Sequence, residues 1–375
     1  MPIHMKSHAT VAGVKKFTKM PKFSGIDLTR IQTVKRCNKY SLSHSGISSS
    51  TFGDVWFLTP KGQALFKTFD SFNFQNTRNL RIANELISQE LLEQTGIPHA
   101  EYEPAILRIS PQMDNIVIDD LEEKLKNAFK HINAEAHFPL VDGQRVYNGL
   151  VSYNFLSLGE QLRPLSHILD MDRYFEPSLE FVSERLGDLQ RRGYKVSKRE
   201  IILNLYALSV FDFLTKQTDR NSNNLNVVVD ENLNIRPAKV IDNEFAFFGQ
   251  YFSSDKTKKN DHKMSDMIKY HNNFARQISM LSFHADYGCN RLENTAKDIV
   301  AYSLVHPEMK QILTHILKNM DVDKAVENTR KKGVQISPEY HDFIKTVVEN
   351  GKQTLQNLIR MKISKTTLED FDELF

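Results

Sequence analysis

The sequence has little of what marks secreted, membrane-spanning or metal-stabilised proteins. Its 375 residues include two cysteines, Cys37 and Cys289, which are too few for a disulfide framework and lack metal-ligand spacing. We therefore expect a reducing, cytoplasmic compartment, with export into another cell left open. No window approaches the roughly 18 uninterrupted apolar residues of a membrane span, and the first residues contain no apolar segment. The sequence thus predicts neither a transmembrane segment nor a signal peptide.

A strong excess of charge of either sign is also absent. The net charge is +3, and no basic stripe with interleaved aromatic residues is visible, so we expect no nucleic-acid partner. Residues 1–38 differ from the rest, because Asp27 is their one acid among many lysines and arginines. We interpret this segment as a solvated, partly ordered basic arm. The alternative is an arm that contacts acidic partners or lipid.

The remaining patterns indicate strands first and helices later. Residues 54–58 and 63–67 suit two strands around a Pro60-Lys61-Gly62 turn, and residues 81–95 have apolar positions at helical spacing before Gly96. Residues 201–214 are apolar nearly all round, which predicts a buried helix that begins at a capping box, Ser197-Lys198-Arg199-Glu200. This order predicts an α+β protein with a small β-rich N-lobe (39–150) and a larger helical C-lobe (151–375).

The most informative stretches are 217–224 (QTDRNSNN) and 240–247 (VIDNEFAF). Asp219 and Asn224 have the D-x-x-x-x-N spacing of a kinase catalytic loop, in which the Asp accepts the proton of the substrate hydroxyl. Asp242 follows after enough residues for a hairpin of two strands, which would return a carboxylate to the same place. Carboxylate and amide oxygens suit Mg²⁺, so Asn224 and Asp242 are predicted metal ligands. We expect Arg220 to brace the loop rather than to contact substrate.

Lys67 and Glu85 are predicted to hold the nucleotide phosphates. Lys67 ends an apolar strand, where a lone ammonium is costly unless it is paired. Glu85, on the following helix, is the natural partner, as in the strand lysine and helix glutamate of kinases. Glu90 and Glu93 on the same helix are competing candidates, and a solvent-facing edge-strand lysine is the plainer interpretation of Lys67.

The turn between Gly46 and Gly53 is predicted to lie over the phosphates. Ser48, Ser49 and Ser50 would offer backbone N–H groups and small hydroxyls to anionic oxygens. The turn lacks a G-x-G-x-x-G pattern, and serine-glycine turns between strands are common. An ordinary hairpin is therefore the alternative.

These motifs resemble the catalytic and metal loops shared by HipA-like serine/threonine kinases and phosphatidylinositol 3-/4-kinases. The helix from Asn84 to the Gly96-Ile97 turn is also similar to the HipA-like pattern. The resemblance implies a protein-kinase-like fold, with ATP and Mg²⁺ as cofactors. The roles that it implies are Asp219 as catalytic base, Lys67 as the catalytic lysine that clamps the nucleotide with Glu85, Asn224 and Asp242 as Mg²⁺ ligands, and the linker 151–155, with Val151 and Tyr153, as the adenine contact.

The sequence departs from the HipA-like pattern in three respects. It lacks the G-x-Q-x-K phosphate loop and the E-R-F-D-R linker segment, and about 40 residues precede its first strand. That length is too short for the N-terminal domain of full-length HipA toxins, which argues against an antitoxin partner. HipA-like kinases are regulated by phosphorylating a serine in their own phosphate loop. The resemblance therefore implies the same for Ser48–Thr51, although serine also suits a turn simply because it is small.

We expect ATP-dependent phosphoryl transfer to a serine or threonine of a protein substrate. A phosphatidylinositol kinase is the first alternative, because TDRNSNN and IDN-x-x-A-F are equally close to type II phosphatidylinositol 4-kinases. The second alternative is a nucleotide-binding interaction module without turnover. The presence of Lys67, Asp219, Asn224 and Asp242 argues against it, since a degenerate kinase usually loses one of them.

Overall fold

The computed structural model of the chain describes residues 26–27, 55–59, 61–68, 75–109, 140–141, 144–171, 178–217, 220, 224–244, 246–247 and 296–360. In these ranges the strands are β1 (Ile26–Asp27), β2 (Val55–Thr59), β3 (Gly62–Thr68), β4 (Tyr102–Ile109), β5 (Leu140–Val141), β6 (Gln144–Tyr153), β7 (Gln161–Pro164), β8 (Lys195–Val196), β9 (Asn226–Val229) and β10 (Asn234–Pro237). The helices are α1 (Gln75–Thr95), α2 (Leu165–Ile168), α3 (Leu179–Arg191), α4 (Lys198–Thr215), α5 (Ala296–Val305), α6 (Pro307–Asn319), α7 (Val322–Lys331) and α8 (Pro338–Arg360).

Six of the described strands form one sheet, in the order β1-β4-β6-β3-β2, with β5 pairing to β6. β2 and β3 are antiparallel and join at Thr59 opposite Gly62, which confirms the predicted hairpin. Gly62 has a φ of 113°, a conformation that glycine adopts without steric cost. β1, which falls within the predicted basic arm, pairs in parallel with β4 at Ala105 and Ile106. This sheet carries Lys67 near the end of β3.

Helix α1 follows this hairpin and ends as the sequence predicts. Gly96 has a φ of 69°, its N–H bonds to the carbonyl of Glu93 at 3.2 Å, and the N–H of Ile97 bonds to the carbonyl of Leu92 at 3.1 Å. These two bonds form a Schellman motif, which satisfies the last carbonyls of the helix. The chain then turns toward Val240, whose N–H donates to the carbonyl of Pro98 at 2.8 Å. The end of α1 is thereby tied to the segment that leads into Asp242.

Helix α4 confirms the predicted buried helix of 201–214. Tyr206, Phe211 and Leu214 are completely buried, consistent with a helix that has no polar face. The predicted capping box is wrong in its bonding. Ser197 is the N-cap residue, but its side chain makes no capping hydrogen bond, and its ψ of 59° departs from the extended conformation in which a cap oxygen reaches the next N–H groups.

A second sheet and the C-terminal helices surround α4. The described strands β7, β9, β10 and β8 form this sheet in that order, and α8 packs directly on α4. Gly351 of α8 makes the close approach possible, because a Cβ at this position would lie 3.0 Å from a methyl group of Leu214. The C-terminal half also reaches back to the N-terminal helix, since α7 packs against α1.

The observed architecture is α+β with a helical majority, as expected from the order of the sequence patterns. The predicted boundary between residues 150 and 151 falls inside β6, and the domain boundaries and the division into two lobes stay predictions. Among the described residues, no helix combines the length and the apolar character needed to cross a membrane.

Candidate active site

Lys67 and Asp242 form the centre of the candidate site. Lys67 follows the fully buried residue Phe66 on β3, and its Nζ donates a hydrogen bond of 2.6 Å to Oδ1 of Asp242. The two side chains are 16% and 27% exposed, so the ion pair is shielded but still accessible to a ligand. The structure thus brings together two of the predicted site residues from distant parts of the chain.

Glu244 supplies a second carboxylate to Lys67. Its Oε2 lies 3.5 Å from Nζ of Lys67, and its Oε1 lies 3.9 Å from Nη1 of Arg81 on α1. Oε2 is buried and has no hydrogen-bond partner among the described residues. The sequence motifs did not single out Glu244, which follows the polar residues Asp242 and Asn243 and so lacks the apolar flanks that mark a buried acid.

Glu85 is close to this pair but is bonded differently from the prediction. Its Oε2 accepts a 2.7 Å hydrogen bond from the backbone N–H of Asn243, and its Oε1 accepts from Nδ2 of Asn243 at 3.3 Å. The ion pairs of Lys67 within the described residues are with Asp242 and Glu244. The predicted direct pair of Lys67 with Glu85 is therefore corrected, because Glu85 instead fixes the backbone beside Asp242.

The charges of the cluster depend on one another. Burial disfavours the ammonium of Lys67, but the carboxylates of Asp242, Glu244 and Glu85 outweigh this effect and raise its pKa well above the usual value. Burial also disfavours the ionised Asp242, yet Lys67 and Arg220 hold its pKa below the usual value. Burial raises the pKa of Glu85 from 4.5 to about 7, against the opposing charge of Lys67. At neutral pH the centre is an ionised Lys67–Asp242 pair beside a carboxyl that titrates.

The backbone at Asp242 has an uncommon conformation that its neighbours stabilise. Asp242 has a φ of 64°, which is unfavourable for a residue with a Cβ. Its N–H donates to the hydroxyl oxygen of Tyr102 at 3.3 Å, and its carbonyl accepts from Nε2 of Gln217 at 3.1 Å. The strained conformation is thus held from both sides, by β4 and by the segment after α4.

Arg220 braces the site, as predicted. Its guanidinium is buried and donates to both carboxylate oxygens of Asp212 on α4, at 3.0 and 3.2 Å. It also donates to the carbonyl of Ile241 at 2.8 Å and to Oδ1 of Asn243 at 2.6 Å. One planar side chain therefore ties α4 to the residues on both sides of Asp242.

The remaining predicted site residues in loops are Asp219, Asn224, Ser48, Ser49 and Ser50. Asp219, Ser48, Ser49 and Ser50 lie outside the described residues, so their roles stay predictions. Asn224 is half-buried in the turn that leads into β9. Its role as a metal ligand also stays a prediction.

Val151 and Tyr153 lie in the last part of β6, in the middle of the first sheet. Val151 pairs with Phe66 on one side and with Glu103 on the other. The N–H of Tyr153 donates to the carbonyl of Glu101 at 3.2 Å, and its hydroxyl donates to Oε2 of Glu103 at 2.9 Å. Their main-chain surroundings are thus those of a sheet, and the adenine contact stays a prediction.

The side chains present fit the chemistry of Mg²⁺. Asp242 and Asn224 offer hard oxygen atoms, and the buried Oε2 of Glu244 is a further oxygen without a hydrogen bond among the described residues. In the described part of the chain no three His, Cys, Asp or Glu side chains group as a metal cage. Mg²⁺ usually binds through one or two carboxylates together with substrate phosphates, and Asp242 would be such a carboxylate.

Asn84 is a further residue that the sequence motifs did not single out as part of the site. It is completely buried on α1, and its Nδ2 donates to the carbonyls of Glu244 at 3.1 Å and Ala246 at 2.9 Å. A buried amide in a helix interior needs such partners, but the sequence does not show where they lie.

Comparison with solved structures identifies the fold. A Helicobacter pylori proinflammatory kinase, CtkA, superposes with a TM-score of 0.58 over 91% of this chain and 99% of that chain, at 10% sequence identity. HipA of Shewanella oneidensis MR-1, in its complex with HipB and operator DNA, has a TM-score of 0.39 and 12% identity over 84% of this chain and 60% of that one. No protein-family model and no curated protein sequence matches the chain. The CtkA likeness shows a kinase-like fold, and the relation to phosphatidylinositol kinases rests on the sequence motifs alone.

Proposed function

We propose that this protein is a kinase that transfers the γ-phosphoryl group of ATP to a serine or threonine hydroxyl of a protein. The observation that carries the proposal is the 2.6 Å ion pair of Lys67 with Asp242, on a kinase-like fold. A strand lysine and a loop aspartate that meet across the chain are the charged groups that position a nucleotide triphosphate in kinases. The motifs around Asp219 and Asp242 and the HipA-like resemblance support the same reaction.

The residues of the site supply positioning and charge, which are the main demands of phosphoryl transfer. Lys67 carries a full positive charge at neutral pH and would bind phosphate oxygens. Asp242 and Asn224 would hold Mg²⁺, which neutralises the phosphate charge when it is bound. Glu85 orients the Asp242 segment through the N–H of Asn243. The site therefore offers the ammonium of Lys67 and the carboxylate of Asp242 side by side.

Asp219 would accept the proton of the attacking hydroxyl. Its chain neighbour Arg220 is bonded both to α4 and to the Asp242 segment, which supports a loop that is held beside the metal ligands. A carboxylate whose role is to accept a proton at neutral pH needs to be ionised before the substrate binds.

The decisive experiment measures transfer from labelled ATP with Mg²⁺ to two acceptors in parallel. One reaction contains a mixture of unphosphorylated proteins, and the other contains vesicles with phosphatidylinositol. We expect label on protein serine or threonine, and no label when Asp219→Ala replaces the wild type. Label on the lipid alone would identify the lipid-kinase alternative, whereas nucleotide binding without any transfer would identify an interaction module.

A further inference from the structure

Helix α1, which carries Glu85, is bonded at three positions to the C-terminal helices and the residues that flank them. Near its end, the backbone N–H of Asp321 donates to Oε1 of Gln94 at 2.6 Å, and Nε2 of Gln94 donates to the carbonyl of Asp321 at 3.1 Å. One turn earlier, Glu90 accepts from Nδ2 of Asn328 at 2.8 Å and pairs with Lys332 at 2.6 Å. The helix that presents Glu85 is therefore fixed to α7 and its flanking residues.

The third contact between α1 and the C-terminal helices leads directly into the site. The hydroxyl of Tyr340, at the start of α8, donates to Oδ1 of Asn84. Both residues are buried, with exposures of 3% and 0%. The amide of Asn84 then donates to the carbonyls of Glu244 and Ala246, so it makes one bond toward α8 and two toward the candidate site. Tyr340 and the Asp242 segment are thus separated by a single side chain.

The segment that receives these bonds depends on outside partners for its conformation. Asp242 and Phe247 both have positive φ, at 64° and 54°, and neither is a glycine. Such residues persist where the surrounding structure fixes them, because the conformation itself is unfavourable. The backbone of the segment is held by Glu85 at Asn243 and by Asn84 at the carbonyls of Glu244 and Ala246.

We propose that Tyr340 is a positioning residue for the Asp242 segment, acting through Asn84. Its hydroxyl orients the amide of Asn84, because an acceptor oxygen facing α8 leaves both amide hydrogens facing the segment. The C-terminal helix thereby sets where the carboxylates of Asp242 and Glu244 stand against Lys67. The effect on catalysis rests on the proposed kinase function, whereas the effect on the segment itself does not.

The test compares Tyr340→Phe with Tyr206→Phe in the full-length chain. Tyr206 is a matched control, because it is buried and its hydroxyl donates to a backbone carbonyl, that of Ile299 at 2.8 Å, outside the Asn84 contacts. Each variant removes one buried hydroxyl together with the hydrogen bond that it donates. If both variants lose a similar amount of stability, a difference between them at the candidate site is due to the place of the lost hydroxyl and not to general destabilisation.

Hydrogen exchange is the first measurement, and it needs no nucleotide. The amides of Asn243, Ala246 and Phe247 are bonded in the wild type, at 2.7, 3.0 and 2.6 Å. We expect them to exchange about tenfold faster in Tyr340→Phe than in Tyr206→Phe, which corresponds to one lost hydrogen bond. Equal exchange in the two variants would overturn the proposal, whatever the protein catalyses.

Kinetics are the second measurement and apply if transfer from ATP is observed. We expect Tyr340→Phe to lower kcat about tenfold with a smaller change in KM, since misplacement affects the transition state more than binding. The same substitution should have little further effect in an Asn84→Ala background, because the two residues act in series. Additive effects in this double-mutant cycle, or an equal fall of kcat in Tyr206→Phe, would show that Tyr340 has a purely structural role. Absence of transfer in the wild type would contradict the proposed kinase function, but it would leave the positioning role of Tyr340 to be decided by hydrogen exchange.

Discussion

Lys67 and Asp242 are 175 positions apart in the sequence, and their side chains meet at 2.6 Å. Strand β3 of the first sheet positions Lys67. The segment of Asp242 is fixed by two hydrogen bonds, one from the N–H of Val240 to the carbonyl of Pro98 and one from the N–H of Asp242 to the hydroxyl of Tyr102. The pair is mostly buried, so either charge alone would be costly to retain. The ammonium and the carboxylate therefore stabilise each other, and they are the groups that we propose to bind a nucleotide with Mg²⁺.

We predict that Asp242→Asn weakens the Mg²⁺ dependence of ATP affinity, because a neutral amide replaces the carboxylate predicted to hold the metal. The measurement is a titration of ATP affinity at several Mg²⁺ concentrations. Asp230→Asn is the control, since it removes the same charge from the exposed turn between β9 and β10. An unchanged metal dependence in Asp242→Asn would exclude Asp242 as a ligand.

Removing either partner of the central ion pair should also cost stability. We expect Lys67→Met and Asp242→Asn each to lower the free energy of unfolding by about 1–3 kcal/mol, between the values for exposed and buried pairs. The double variant should lose less than the sum of the two, because the second substitution removes a charge that the first left unpaired. Chemical denaturation of all four proteins gives the coupling, and strict additivity would mean that the pair contributes nothing.

Asp219→Ala should abolish phosphoryl transfer while leaving ATP binding largely intact. The proposed base would be lost, whereas Lys67 and Asp242 would be unchanged. Positioned proton transfer contributes about 10²–10⁴-fold to a rate, and the loss should fall in that range. Single-turnover rates and ATP affinity measured on the same preparation separate the two effects. Turnover like that of the wild type would remove Asp219 from the mechanism.

Glu85 should make stability depend on pH. In the unfolded chain its carboxyl loses its proton near 4.5, whereas in the folded protein burial raises the pKa to about 7. Between these values the folded state binds more protons, so stability falls as pH rises through this window, by up to about 3 kcal/mol. Glu85→Gln should remove this part of the slope, while Glu90→Gln on the same helix should retain it. Denaturation curves from pH 4 to 8 check the prediction, and equal slopes for wild type and Glu85→Gln would contradict it.

Arg220→Ala should destabilise the protein far more than Arg236→Ala. The ion pair of Arg220 with Asp212 is 3% and 12% exposed, and the substitution would also remove the hydrogen bonds to the carbonyl of Ile241 and to Oδ1 of Asn243. We expect a cost of about 3–5 kcal/mol. Arg236 pairs with Glu160 but is 44% exposed, so its substitution should cost less than about 1 kcal/mol. Thermal or chemical unfolding of both variants is the measurement, and similar losses would contradict a bracing role for Arg220.

The sequence was sufficient for those features that depend on local chemistry. The hairpin around Lys61, the end of α1 at Gly96 and the buried helix α4 follow from turn residues and apolar periodicity, which act over a few residues. Arg220 was expected to brace its loop rather than to contact substrate, and its bonds to Asp212 and to the carbonyl of Ile241 agree with that expectation.

Contacts that depend on tertiary packing could not be predicted from the sequence. Glu85 was predicted to pair with Lys67, but it bonds to the backbone of Asn243, since Asp242 and Glu244 already face the ammonium. Asn84 and Glu244 are 160 positions apart in the sequence, and their contact forms only when α1 packs against the segment that contains Glu244. Spacing alone does not reveal which of several acids lies closest to a cation, because that depends on how three separate elements pack.

The segment Ser48-Ser49-Ser50-Thr51 is predicted from the sequence to lie over the phosphates of a bound nucleotide. If this loop regulates the protein, incubation with ATP and Mg²⁺ should add phosphate to it. Each phosphate would bring a charge of about −1.5 to −2 beside the triphosphate, and like-charge repulsion should then lower ATP affinity. Mass spectrometry of the peptide spanning 45–61 is the measurement, with Asp219→Ala as the control that should stay unmodified. An unphosphorylated peptide, under conditions in which another substrate is phosphorylated, would exclude regulation of the protein by phosphorylation of this segment.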